Sequence, residues 1–162
     1  MEYTTLGRTG LRVSVAGLGC GGFSRLGQGT GRSVEESVAV VRQGLDLGIN
    51  FIDTAAGYHT EPIVGQALKG VGRDAVVLST KASIAIGDKR ESAAQVVASL
   101  DQSLKNLRVD CIDVFHLHAV EARDCDYACD EIVPALLRER DKGKFRFLGI
   151  TEIPPHDPAA CP

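Results

Sequence analysis

Short β-branched runs alternate with helical patterns along the whole chain, and this rhythm constrains the fold more than any other feature. Val13-Ser-Val-Ala-Gly-Leu18, Ile49-Asn-Phe-Ile-Asp53, Ala75-Val-Val-Leu-Ser-Thr80, Cys111 to His118 and Lys144 to Ile150 read as strands. Between them, apolar residues recur at helical spacing: Val34, Val38, Val41 and Leu45, then Ile63, Val64, Ala67 and Leu68. Two more stripes follow, Val96, Leu100, Leu104 and Leu107, and then Ile132, Leu136 and Leu137. Ser33-Val-Glu-Glu36 forms a capping box, and Thr60 or a neighbour caps the second helix. Strand ends fall near residues 19, 53, 81, 118 and 150, each interval close to one βαβ unit of roughly 30 residues. Regular βα repetition predicts a parallel sheet, either doubly wound or closed as a barrel, and the pattern alone does not choose.

The chain of 162 residues is long enough for one domain with a real core. Its 44% hydrophobic and 24% charged residues are those of a globular protein. A net charge of -3 gives no reason to expect nucleic acid or an anionic membrane as partner. No apolar run reaches the ~20 residues of a membrane span, and the N-terminus lacks a signal-peptide core, so the cytoplasm is the expected location. The five cysteines are irregularly spaced and are expected to be unpaired thiols, with no metal site. Four of the six prolines fall between Pro154 and Pro162, where no further element can begin, so 153–162 is expected to be a disordered tail.

Gly17, Gly19 and Gly22 match the G-x-G-x-x-G spacing of a dinucleotide fingerprint. That fingerprint needs a helix to open at its third glycine and an acidic residue about 20 positions on. Neither is present, because the first credible helix waits for Ser33. An open Rossmann-like domain is therefore the weakest reading. A loop at a strand end remains, and it allows a close approach of backbone to a ligand.

Asp53, Tyr58, Lys81 and His118 lie at or just beyond strand ends. In a closed barrel those ends share one face, so the four would converge. A carboxylate and an ammonium ending adjacent buried strands should pair. A tyrosine near that cation and a histidine at the same mouth suit proton delivery to a carbonyl oxygen. Each has a plainer role: Asp53 as a turn cap, Tyr58 as a loop tyrosine, Lys81 as a solvated lysine. By strand alternation His118 is the better site candidate, and His116 is an interior residue one layer deeper. Cys20 reads as a packing residue.

Asp53-Thr-Ala-Ala-Gly-Tyr58 with Glu61 resembles the D-T-A-x-x-Y-x-x-E signature of the aldo-keto reductases. Ser79-Thr-Lys81, Asp113-Val-Phe-His-Leu-His118 and Lys142 to Thr151 resemble that family's third-, fourth- and fifth-strand motifs. Tyr3 to Val13 is similar to the hairpin that plugs its barrel bottom. The resemblance implies an α/β fold of (β/α)8 TIM-barrel type over 1–152, truncated to about five strands and four helices, since a full barrel takes roughly 250 residues. The change after Glu152 reads as a truncation or a shifted reading frame.

The resemblance also implies reduction of an aldehyde or ketone by NADPH, with NADH as the alternative. Tyr58 would be the general acid, Lys81 with Asp53 would lower its pKa, and His118 would orient the carbonyl. Gly19, Cys20, Gly21, Asp53 and Thr151 are the implied cofactor-binding residues. Glu152, where the family has Asn, and His59, where it has Gly, are departures. The competing reading is an inactive half-barrel, or a binding subunit that needs a partner, with self-association through exposed sheet edges.

Overall fold

The structure, a computed structural model, describes residues 1–152, so the tail expected over 153–162 lies outside the described residues. The chain opens with an antiparallel hairpin of β1 (Tyr3–Thr5) and β2 (Arg12–Ser14). A parallel sheet comes next, made of β3 (Leu18–Gly19), β4 (Phe51–Asp53), β5 (Val77–Ser83), β8 (Ile112–Val120) and β9 (Phe145–Glu152). Between β5 and β8 a small hairpin joins β6 (Ala85–Ile86) to β7 (Lys89–Arg90). The helices are α1 (Val34–Asp46), α2 (Glu61–Ala67), α3 (Ala93–Leu107), the single turn α4 (Cys125–Tyr127) and α5 (Val133–Asp141).

The order β3-β4-β5-β8-β9 is sequential, and every neighbouring pair is parallel. A doubly wound sheet reverses its strand order partway across. Here there is no reversal, and α1 packs on α2, α2 on α3 and α3 on α5. The helices thus form one continuous outer layer on one side of the sheet. That is the arrangement of consecutive units of a (β/α) barrel, and the Rossmann-like reading is excluded.

Two apolar clusters occupy the two faces. On the helix side Ile52, Leu78, Phe115 and Leu117 pack against Val41, Val64, Leu100 and Leu136. On the other side Val77 and Val114, with Phe51 and Phe147, meet Leu11 and Val13 of the opening hairpin. The hairpin therefore covers the inner face at the N-terminal ends of the strands, as the resemblance implied.

Several boundaries differ from expectation for identifiable reasons. Val13–Leu18 is not one strand but falls into two, with a bend at Val15 and Ala16 between β2 and β3. Asn50 makes the break, accepting from Ser14 N–H at 2.6 Å and donating to the Arg12 carbonyl at 3.0 Å, so β2 is tied to the base of β4. Strands β5, β8 and β9 run to Ser83, Val120 and Glu152, two residues beyond the expected ends. The capping box at Ser33 and Glu36 is present, but Val34 is 37% exposed and α1 buries Ser37, Val41 and Gly44 instead. Thr60 stands at the start of α2 without capping it. Ahead of α5 the chain runs as a π-helical segment over Ala128–Ile132. Pro134 has no N–H to return to the residue four before it, and the turn widens there. The expected free thiols are found at Cys20, Cys111 and Cys129, whereas Cys125 is disulfide-bonded.

Buried polar groups pin the layers. Asp113 accepts from Leu78 N–H at 2.9 Å and pairs with Arg73 at 2.6 Å and Arg146 at 3.0 Å. Glu61 accepts from Thr80 at 2.7 Å and from Asn106 at 3.0 Å, which joins α2, β5 and α3. One turn along α2, a Cβ on Gly65 would stand 2.2 Å from the Asn106 carbonyl oxygen. Gly65→Ala must therefore separate α2 from α3. Urea denaturation should show a loss of about 1–3 kcal/mol, and an unchanged midpoint would show that the two helices are not held this close.

Candidate active site

The site begins with strand alternation. Asp53, Ser79, Lys81, His116 and His118 all project to the face opposite the helices, because they occupy alternate positions on β4, β5 and β8. Asp53 lies beside Ser79, and Lys81 lies beside His116. The Lys81 ammonium reaches Asp53 Oδ2 at 2.6 Å and the Thr54 carbonyl at 2.8 Å. Ser79 donates to Asp53 Oδ1 at 2.7 Å. The lysine side chain is 8% exposed and that of Asp53 36%, so the ion pair sits at the boundary of the interior with its open side on the aspartate.

Above this pair, a 3-10 turn over Ala56–Tyr58 places Tyr58 at the mouth. Its ring centroid lies 5.1 Å from Lys81 Nζ. Its hydroxyl lies 3.5 Å from His118 Nε2, and the two rings meet edge to face at 84°. The expected convergence of Asp53, Tyr58, Lys81 and His118 is therefore present. The correction is in position: Lys81 and His118 lie inside β5 and β8, two residues short of the ends. Both are thus held in the β5–β8 ladder, Lys81 opposite His116 and His118 opposite Ser83.

The glycine loop packs against this arrangement. Cys20 N–H donates to the Asp53 carbonyl at 2.8 Å, and Thr60 donates to the Cys20 carbonyl at 3.1 Å while bonding Thr54 at 2.9 Å. A Cβ on Gly21 would stand 2.5 Å from the Tyr58 ring, so only glycine lets the ring lie there. Gly19 has nothing within 4 Å of its Cβ position. Thr151, on β9, accepts from Ala119 N–H at 2.8 Å through Oγ1, which leaves its own proton free to donate.

Ser79, Thr54 and Thr60 are not among the expected site residues. Ser79 was within reach of the sequence, since it lies two residues before Lys81 and so shares its face. His59, which stands where the resemblance expects glycine, has φ +61°, the left-handed conformation glycine adopts without strain.

Burial lowers the pKa of His118, and Lys81 pushes it the same way against the opposing pull of Asp53. His116 is lowered for the same reasons, with His118 adding to the effect. Both imidazoles are thereby held neutral. Burial, reinforced by the Asp53 carboxylate and offset by Lys81, pushes the Cys20 thiol up to about 12, which makes it inert as a nucleophile.

A sequential parallel sheet, one helix layer and an inner face plugged by a hairpin define half of a (β/α) barrel. The chain belongs to the aldo/keto reductase family, whose sequence model matches residues 17–159. It is 38% identical to L-galactose dehydrogenase of Arabidopsis thaliana over 95% of this chain and 49% of that protein. It is 33% identical to the aldo-keto reductase YhdN of Bacillus subtilis over 94% of this chain and 47% of that one. Among solved structures, the aldo-keto reductase AKR11C1 from Bacillus halodurans in its holo form aligns with a TM-score of 0.77 and 31% identity. That alignment covers 94% of this chain and 51% of the other. The chain spans about half the length of the curated relatives it matches.

Two outcomes are expected from the site's titration. Iodoacetamide at pH 8 should label Cys129 and spare Cys20, whose thiolate fraction would be about one part in ten thousand; rapid labelling of Cys20 in the folded chain, read by peptide mass mapping, would contradict its burial. The neutral histidines bind fewer protons folded than unfolded, so their contribution to stability is full above the unfolded value of about 6.5. It is lost as pH falls from there through their lowered folded values. Denaturation midpoints between pH 7 and 5 should show this loss, and His116→Gln should make it shallower.

Proposed function

We propose that this chain carries the proton-delivering half of a carbonyl reductase that uses NADPH, with NADH as the alternative. The observation that carries the reading is the Tyr58 hydroxyl set against His118 Nε2 at 3.5 Å over the buried Lys81–Asp53 pair. The residues present fit the nicotinamide end of such a cofactor. Open space beside Gly19 and the flat wall of Gly21 and Tyr58 would admit a ring, and Asp53 and Thr151 would line it, whereas Cys20, which the resemblance put in this role, is fully buried in the core beneath. They fit the phosphate end less well. The arginines that lie beyond β5 and β8, Arg90 and Arg123, are already paired with Asp124, Asp88 and Glu121.

The cofactor, when bound, would supply a hydride to the carbonyl carbon. Tyr58 would give its hydroxyl proton to the carbonyl oxygen, turning it into an alcohol. Lys81 would stabilise the charge left on the phenol oxygen, because an ammonium in a partly dry site acts strongly on charge that develops nearby. Asp53 keeps that ammonium in place and is itself held by Ser79. His118, neutral, can donate a hydrogen bond from Nε2 to the carbonyl oxygen and so orient it. Its distance from Tyr58 is at the long end for a hydrogen bond, as is common before substrate enters.

The proposed substrate is a small aldehyde or ketone. The reading places the reaction in the cytoplasm, and the disulfide at Cys125 pulls the other way, since such bonds are rare there. Self-association through β3 and β9, the outer strands of the sheet, belongs to the same proposal, because exposed edges are templates for pairing.

Titrating the chain with NADPH while following nucleotide fluorescence should give saturable binding. Reduction of 4-nitrobenzaldehyde should fall by about 10²–10⁴-fold in Tyr58→Phe, the usual contribution of a positioned acid. Binding without turnover, or turnover indifferent to Tyr58→Phe, would overturn the reading and favour a binding subunit.

A further inference from the structure

The backbone just past His118 is held in an unusual way. Ala119, the next residue, has φ +55°, a left-handed conformation in which the Cβ of a non-glycine residue crowds the following carbonyl oxygen. The register between β8 and β9 shifts at this point, between Leu117 and Val120. It is a β-bulge, a device that re-aims a side chain beside a site. A bulge leaves a ladder amide without its partner, and here that amide is Ala119 N–H. Thr151 Oγ1 accepts it at 2.8 Å from the neighbouring strand. Threonine is suited to this: its χ1 is stiff, so the hydroxyl is presented from a fixed place.

We propose that Thr151 is a positioning residue for His118: its hydroxyl holds the bulge at Ala119 and thereby sets the reach of Nε2 to Tyr58. The proposal rests on the carbonyl-reductase reading only for the use made of His118. The geometric claim stands apart from it. Without the Thr151 acceptor, the strained Ala119 would relax toward extended backbone. A strand that relaxes there turns the preceding side chain, because successive residues point to opposite faces. Thr151 thus acts on the site through the backbone of the next strand, whether or not its remaining proton also reaches a cofactor.

The test uses the full chain, isotopically labelled, and reads the exchange rate of the Ala119 amide together with the imidazole signals of His118. Thr151→Val keeps the shape and removes the acceptor. It should speed exchange at Ala119 by roughly five- to tenfold, as expected for one lost hydrogen bond, and shift the His118 signals. Thr151→Ser should leave both as they are. Adding Ala119→Gly to Thr151→Val should restore the His118 signals, since glycine holds the left-handed conformation without help. A merely structural threonine would not show that rescue.

Unmoved Ala119 exchange and His118 signals in Thr151→Val would overturn the proposal, as would equal changes in Thr151→Ser. Should Thr151→Val fail to fold, the unaltered chain decides: an Ala119 amide protected like its β8 neighbours supports the proposal, and one exchanging like an open loop refutes it. No readout requires turnover. An inactive chain with these responses would sink the reductase reading alone, and an active chain without them would sink this one alone.

Discussion

The ion pair between Lys81 and Asp53 is the constraint on which the inner face depends. An ammonium 8% exposed is costly unless it is paired and hydrogen-bonded. Lys81 meets that demand with one carboxylate oxygen and the Thr54 carbonyl, while Ser79 takes the other oxygen of Asp53. These contacts bind β4 to β5 at their C-terminal ends, where the strands would otherwise be free to splay. They also fix Thr54, the first residue of the loop that carries Tyr58. A buried pair of this kind adds little net stability over a well-packed apolar pair. Its contribution is a single arrangement of two strands and a loop, with a positive charge pointed at the tyrosine.

The glycine loop acquires its meaning from the same place. Its spacing imitates a phosphate-binding motif, yet the loop leads into a 3-10 segment over Arg25–Thr30 with left-handed residues inside it. No N-terminus of a regular helix is offered to an anion. Instead Cys20 is tied to the end of β4 and to Thr60, and Gly21 makes room for the Tyr58 ring. Thr60 commits its hydroxyl to this network, which is why it does not cap α2. The loop and the tyrosine are one packed unit.

Much of this was legible in residues. The order of strands and helices can be read from period and capping, and Asp53, Lys81, His116 and His118 share a face because alternation is strict. Less legible was where strands stop. β5 and β8 extend two residues past Lys81 and His118 because each finds a partner strand there, and partner availability is a property of the whole sheet. Val13 to Leu18 has the composition of one strand, but Asn50, 36 residues from Ser14, divides it. The β6–β7 hairpin turns at Gly87, φ +60°, before Asp88, a two-residue signal that its short flanking strands made faint. The bulge at Ala119 left no trace, since nothing in an alanine announces a left-handed backbone.

That last feature has a counterpart. Each of the two residues that meet across the mouth is followed by a non-glycine residue in the left-handed region: His59 at φ +61° after Tyr58, and Ala119 at φ +55° after His118. Such residues are uncommon, and they persist only where surrounding structure over-determines them. Around Ala119 the determinants are the β8–β9 ladder and Thr151. Around His59 they are the 3-10 turn that ends on its N–H and the Thr54–Thr60 bond that closes the loop. Neither conformation is favoured by its own residue. Both bend the chain just past a side chain that must face its opposite across the mouth, one from a loop and one from a strand. The stability given up at these two positions is what brings a loop tyrosine and a strand histidine within 3.5 Å of each other, and the ion pair beneath them keeps the strands from yielding to relieve it.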